Sequence, residues 1–160
     1  MGHESIVYGR IRAPRLYVGH EDALQRHNRA VIGSLPETDD WPFLTRAMFA
    51  IPGHAPATGL YRDQVIHFGA SFKRIECDWP DWLAKFEALL AQLHFDDAVV
   101  RLQTDFVNPG NEYVYRWEAL PEDRDAVEAR HRAVRAGLPP PWPPLPRPWR
   151  FEGDACGFGG

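Results

Sequence analysis

A continuous apolar stripe over residues 79–94 constrains the fold of this chain more than any other feature of the sequence. Large apolar side chains recur there at the spacing of a single helix face. They are Trp79, Trp82, Leu83, Phe86, Leu89, Leu90 and Leu93. Asp78 stands at the N-cap position, and Pro80 falls in the first turn, where a missing N–H group costs little. The pattern therefore predicts a helix from 79 to 94 that buries its stripe.

Segments rich in β-branched and aromatic residues predict the strands of a sheet. Residues 5–11 predict a first strand, which Pro14 ends, and residues 43–51 predict a short second one. Residues 64–72 predict a third strand, because successive side chains there sort onto two different faces. One of these faces holds Ile66, Phe68, Ala70 and Phe72, and the other holds Val65, His67, Gly69 and Ser71.

A hairpin is predicted near the middle of the second half of the chain. Residues 98–106 and 112–119 alternate cleanly between apolar and polar side chains around a turn at residues 108–111. A four-residue loop is expected, because Pro-Gly does not favour the tight primed turns of hairpins. The resulting register places Leu102 opposite Trp117 and makes one face apolar and the other charge-paired. Such a hairpin belongs to a sheet that is covered on one side.

Two further helices complete the order of elements. Residues 20–35 predict a helix with Leu24 and Val31 on its apolar stripe, and residues 122–136 predict a peripheral helix with acids first and bases last. The order is β-α-β-β-α-β-β, followed by a helix and a tail. We therefore expect an α+β fold with a single antiparallel or mixed sheet and both main helices packed on one face, as in a ferredoxin-like variant.

The composition of the chain changes near its end. Residues 1–137 are predicted to form a single α+β domain, and residues 138–160 are predicted to form a proline/glycine-rich C-terminal tail. Seven of the ten residues from Pro139 to Pro148 are proline, so this segment predicts polyproline-like structure. The tail either covers the domain or extends as an arm that binds a partner.

Charge and composition exclude several classes of function. The net charge is −4, which leaves no basic surplus to bind nucleic acid. Cys77 and Cys156 are too few and too far apart for a disulfide framework or a zinc site, and they favour a reducing compartment. The sequence contains no signal peptide and no apolar run long enough to span a membrane. We therefore expect a cytoplasmic protein that does not bind membranes.

No motif predicts a cofactor, a metal ion or a catalytic residue. The histidines lack the spacing of metal ligands, and the glycines form neither a dinucleotide-binding nor a phosphate-binding loop. His67 and Ser71 share a strand face, but no base or nucleophile elbow accompanies the serine. An alternative hypothesis is a small-molecule-binding or hydrolytic domain with a pocket near His67, Ser71 and Tyr115.

An acidic and aromatic loop is the predicted partner-binding surface. Asp39 and Asp40 precede Trp41, and an aromatic residue in an acidic loop has the composition of an interface anchor. Packing of Trp41 as a lid on the core is the competing interpretation. Three residues that lie nearby in the sequence complete the candidate site, namely Tyr61, Arg62 and Asp63.

Four segments of the sequence resemble small bacterial immunity proteins that are encoded beside Rhs-type and other polymorphic toxins, which type VI secretion often delivers. The segments are residues 1–11, 64–72, 82–90 and 115–117. The resemblance covers residues 1–118 and excludes the proline-rich tail. It implies a cytosolic inhibitor that binds a cognate toxin domain and occludes its active site. The remaining alternative is an adaptor that docks its Pro139–Pro148 arm on another protein.

Overall fold

The computed structural model describes residues 4–14, 21–52, 64–105, 111–121, 124–137 and 146–154. The described residues form an α+β fold with a single open six-stranded antiparallel sheet. The elements in chain order are β1 (Glu4–Arg12), α1 (Glu21–Gly33), a 3-10 turn (Arg46–Met48), β2 (Phe49–Ala50), β3 (Val65–Lys73), a second 3-10 turn (Ile75–Asp78), α2 (Trp79–Leu90), β4 (Asp97–Thr104), β5 (Asn111–Ala119), α3 (Arg124–Arg135) and β6 (Trp149–Gly153). The spatial order of the strands is β2-β3-β1-β4-β5-β6.

The predicted central helix is present as α2, and it covers one face of the sheet. Its stripe is buried, with Trp82 and Phe86 at 0% exposure. These rings pack on Phe68 of β3, and Phe86 also packs on Trp117 of β5. Ile32 of α1 belongs to the same core. The helix ends at Leu90, and the next residues continue as tighter turns in which the N–H groups of Gln92 and Leu93 donate three residues back.

The opposite face of the sheet is open and charged. Arg10 and Arg12 of β1 both pair with Asp97 of β4, and Arg12 Nε lies 2.8 Å from its carboxylate. Glu112 of β5 accepts hydrogen bonds from Tyr8 and Arg101. The bond to Glu112, together with burial, raises the pKa of the Tyr8 phenol above its usual value. Cross-strand pairs therefore satisfy the charges at the centre of this face.

The hairpin of β4 and β5 is present, but its predicted register is wrong. Leu102 lies opposite Tyr113 rather than Trp117. The strands stop pairing at Thr104 and Asn111, so residues 105–110 connect them and the loop is longer than the predicted one. The register shifts by an even number of positions, and an even shift keeps each side chain on its predicted face.

Two other elements differ from the prediction. The strand predicted near residues 43–51 is reduced to Phe49–Ala50, because the preceding residues form a loop and a 3-10 turn. Trp149–Gly153, which the sequence places in the proline-rich tail, form the edge strand β6 beside β5. Phe151 of this strand lies 5.0 Å from the ring of Trp117. The segment 138–145, which holds five of the seven prolines between Pro139 and Pro148, lies outside the described residues.

A buried polar network fixes α1 to the rest of the fold. The Asn28 amide donates to the carbonyl oxygen of His94 (2.9 Å) and to Gln64 Oε1 (3.2 Å), and its own oxygen accepts from the His94 N–H group (2.9 Å). Gln64 Nε2 donates in turn to the carbonyl oxygen of Gln25. One fully buried side chain thus joins α1, the start of β3 and the segment after α2.

We expect Asn28→Ala to lower the free energy of unfolding by about 2–4 kcal/mol, because it leaves the buried N–H and carbonyl groups of His94 without a partner. Urea denaturation followed by circular dichroism measures the change. Gln103→Ala, on the open face of the sheet, is the control and should change stability by less than about 0.5 kcal/mol. Equal stability of the two variants would show that the network is dispensable.

His94 makes the stability of the fold sensitive to acid. Burial, together with the nearby His27 ring, lowers the pKa of its imidazole to about 4 from the ordinary 6.5. The unfolded chain therefore takes up this proton more readily than the folded chain does. The stability that neutral His94 contributes is complete above pH 6.5 and is lost as the pH falls toward 4.

The expected outcome is that His94→Phe flattens the decline of stability across this pH interval, because the phenyl ring fills the site and does not titrate. Urea denaturation at a series of pH values gives the slopes. His67→Phe, at an exposed position on β3, should keep the slope of the parent protein. A parent-like slope in the His94 variant would assign the acid sensitivity to other groups.

Candidate functional site

An open cleft of about 620 Å³ lies between the loop that precedes β2 and the edge of β3. We call residues 37–45 the aromatic loop and this space the edge cleft. The aromatic loop forms one wall with Trp41 and Phe43, and Met48 of the adjoining 3-10 turn lies beside them. The other wall consists of four consecutive residues of β3, from Ala70 to Lys73. The cleft is therefore bounded by an irregular loop on one side and by a regular strand on the other.

Two large aromatic side chains of the aromatic loop remain exposed at the edge cleft. Trp41 is 39% exposed and Phe43 is 41% exposed. Their rings meet edge to face at 5.2 Å, and Trp41 also contacts the ring of Phe72 at 5.9 Å. Aromatic residues of this kind are enriched at the centres of protein interfaces. Trp41 is thus neither a closed lid nor a free side chain.

The helix α2 holds the aromatic loop in place through side-chain hydrogen bonds. Trp82 Nε1 donates to the carbonyl oxygen of Phe43 at 3.1 Å. Lys85 Nζ donates to the carbonyl oxygen of Asp40 at 2.8 Å. The exposed ring is fixed as well, because Trp41 Nε1 donates to Asp78 Oδ2 at 2.7 Å. The aromatic pair is therefore presented from a rigid support before any partner binds.

Asp39 supports the loop from within. Its Oδ2 accepts hydrogen bonds from Lys85 Nζ (2.8 Å) and from the Leu44 N–H group (3.0 Å). Burial raises the pKa of the Asp39 carboxyl, but the bonds from Lys85 and Leu44 outweigh burial and hold the pKa below its ordinary value. Asp39 is consequently an ionised support of the loop, whereas the side chain of Asp40 is exposed.

The predicted partner-binding residues are brought together in part. Asp39, Asp40 and Trp41 all lie in the aromatic loop, and Asp39 and Trp41 line the edge cleft. Tyr61, Arg62 and Asp63 lie outside the described residues. Phe43 and the β3 wall were not predicted as part of the site. Phe43 was predicted to lie in a strand. The Trp-Pro-Phe sequence at residues 41–43, which is typical of a loop, was the feature that could have indicated otherwise.

The residues of the alternative pocket do not converge. His67 and Ser71 are exposed on the open face, where Ser71 Oγ donates to Glu4 Oε1 at 2.6 Å. Tyr115 is buried on the core face against the ring of Trp79. Strand alternation and the pairing of the intervening strands separate the first two side chains from the third. No group of three potential metal ligands occurs among the described residues.

Comparisons with protein-family models, with curated proteins and with solved structures give no match to this chain. Within the ranges that the structure describes, none of the helices has both the length and the hydrophobicity needed to cross a membrane.

Lys85→Met should raise the pKa of the Asp39 carboxyl toward its ordinary value of 3.8, because methionine keeps the aliphatic stem but cannot donate a hydrogen bond. The pH titration of the aspartate carboxyl carbons by NMR measures this. Lys73→Met is the matched control, since Lys73 lines the opposite wall of the cleft. An unchanged Asp39 pKa in the Lys85 variant would refute the supporting role of this ion pair.

Proposed function

We propose that this protein is a cytoplasmic immunity protein that binds a cognate antibacterial toxin and neutralises it by occluding the toxin's active site. The observation that carries this proposal is the exposed pair Trp41 and Phe43, held at an open cleft by Asp78 of the preceding 3-10 turn and by Trp82 of α2. The resemblance of residues 1–118 to immunity proteins of polymorphic toxins supports the same function. The protein would act by affinity alone and would need no cofactor.

The rigid support of the aromatic loop favours tight binding. Aromatic side chains supply much of the binding energy in protein interfaces. Association costs less free energy when loops and side chains are already ordered in the bound conformation. The hydrogen bonds from Trp82 and Lys85 to the loop carbonyl groups provide such order in the free protein. An inhibitor that must outcompete a toxin's substrate benefits from this arrangement.

Electrostatics favour a basic partner. The chain has a net charge of −4, and the exposed carboxylate of Asp40 lies beside Trp41. Long-range attraction between an acidic inhibitor and a basic toxin raises the rate at which the two meet. The same charge disfavours nucleic acid and anionic membranes as partners.

We propose that the core is a variant of the ferredoxin-like fold, and such a fold is compatible with this role. The spatial order β2-β3-β1-β4, with one helix after β1 and another after β3, supports that assignment. Ile32 of α1 and Trp82 of α2 share one core, which supports packing of both helices on the same face. In this scheme β5 and β6 extend the sheet beyond β4.

Co-expression with the toxin encoded beside its gene should protect a susceptible bacterium from killing. The double variant Trp41→Ala/Phe43→Ala should lose most of that protection, because each anchor contributes about 2 kcal/mol of binding free energy, or about a thirtyfold change in affinity. Colony counts after toxin induction, with Kd from calorimetry, give the measurement.

The matched control for this experiment is Ile6→Ala/Leu120→Ala, which removes two similarly exposed apolar side chains that do not line the edge cleft. Thermal unfolding of both double variants verifies that they fold. Death of cells that carry the parent protein would reject the immunity function. Full protection by the Trp41/Phe43 variant would reject the edge cleft as its binding site.

A further inference from the structure

The outer edge of β3 is paired over only part of its length. β2 contributes two residues, Phe49 and Ala50, which lie opposite Phe68 and His67. From Gly69 to Lys73, no strand in the described part of the chain pairs with this edge. Such a stretch presents main-chain N–H and carbonyl groups that another extended chain can pair with.

The edge cleft lies along this stretch of β3. Its β3 wall consists of the consecutive residues Ala70, Ser71, Phe72 and Lys73. Neighbouring side chains of a strand point to opposite faces of the sheet, and here Phe72 is buried while Ser71 is exposed. The cleft is thus lined by residues of both faces, as a space that runs along the edge of the strand would be. Alternate residues of an antiparallel strand direct both main-chain groups toward that edge.

We propose that the edge cleft accepts an extended strand of the toxin, which adds to the sheet beside β3 along Gly69–Lys73. This inference rests on the proposed function and specifies how the partner binds. Main-chain hydrogen bonds to β3 provide the alignment. One apolar side chain of the added strand enters the cleft and packs against the wall that Trp41 and Phe43 form, and one basic side chain lies beside Asp40.

The wall opposite β3 explains why an apolar side chain fits. In strand addition the main chain supplies general affinity, and pockets for alternate side chains supply specificity. The rings of Trp41 and Phe43, together with Met48, form an apolar wall that faces the strand edge across the cleft. Trp41 is fixed by its bond to Asp78, so this pocket is present before binding.

The charge around Trp41 explains why the added strand should carry a basic residue. The exposed Asp40 adjoins Trp41, and Asp78 accepts the hydrogen bond from the Trp41 indole. The exposed Asp81 lies on α2, three residues after Asp78. Within the ranges that the structure describes, no ion pair engages these three carboxylates. Lysine or arginine in the partner would complement them. The same acidic rim disfavours a second copy of this chain, because two such rims would repel each other.

Hydrogen exchange of the protein with and without the purified toxin domain tests the proposal. In the complex, the edge-directed amides of Gly69–Lys73 should exchange at least about tenfold more slowly than in the free protein, because they become hydrogen-bonded. The amides of the other sheet edge, in Trp149–Gly153, provide an internal control and should be unaffected.

Two charge variants test the basic side chain of the partner. Asp40→Lys should lower the association rate about tenfold at low ionic strength, and added salt should reduce the difference. Asp125→Lys, at an exposed position on α3, is the matched control and should bind nearly as the parent does. Equal rates for the two variants would overturn the role assigned to Asp40.

The outcomes separate the two proposals. Toxin that binds tightly without slowing exchange in Gly69–Lys73 would overturn strand addition and leave the immunity function standing. Toxin that does not bind at all would overturn both. Slower exchange in the absence of toxin, increasing with protein concentration, would assign the edge to a second copy of the chain and overturn the proposed occupant.

Discussion

The stacked aromatic ridge of α2 is the contact on which both the core and the candidate site depend. Trp82 lies nearly parallel to Trp79 on one side (5.1 Å) and to Phe86 on the other (5.4 Å), and none of its surface is exposed. Burial of aromatic rings on this scale contributes a large part of the stability of a small domain. The ridge also determines where α2 lies on the sheet, and its position determines where the aromatic loop is held.

The helix α2 therefore both packs in the core and holds the aromatic loop, and Trp82 does both through different parts of its side chain. The indole ring of Trp82 packs in the core, whereas its N–H group holds the carbonyl of Phe43. One turn later, Lys85 holds Asp39 and the carbonyl of Asp40. Because these anchors come from a helix, the loop geometry depends on the packing of α2 as well as on contacts within the loop, such as the bond from the Leu44 N–H group to Asp39. Substitutions beneath α2 would consequently alter the edge cleft without touching it.

The parts of the fold that follow from periodicity were predictable, and the parts that depend on tertiary pairing were not. The stripe from Trp79 to Leu93 specified α2, and alternation specified which side chains of β3, β4 and β5 face the core. An even shift of register leaves the alternation of side chains between the two faces unchanged, so alternation could not fix the register and the hairpin loop was predicted too short. The strand β6 was not predicted because it directly follows a dense run of prolines. At the site, composition singled out Asp39–Trp41, whereas the contribution of β3 required the sheet edge to be located in space.

The open face and the edge of this sheet present different physical situations. On the face, arginines and carboxylates satisfy one another across β1, β4 and β5. At the edge of β3, the polar groups of the main chain stand beside two exposed aromatic rings. A combination of that kind invites aggregation, and soluble proteins ordinarily cover such an edge or place charges on it. Here Lys73 is the charged side chain that lines the cleft on the β3 side, while Asp78 holds the Trp41 ring and α2 holds the loop backbone. Aromatic rings held beside a partly paired strand edge are the arrangement that the proposed addition of a partner strand requires.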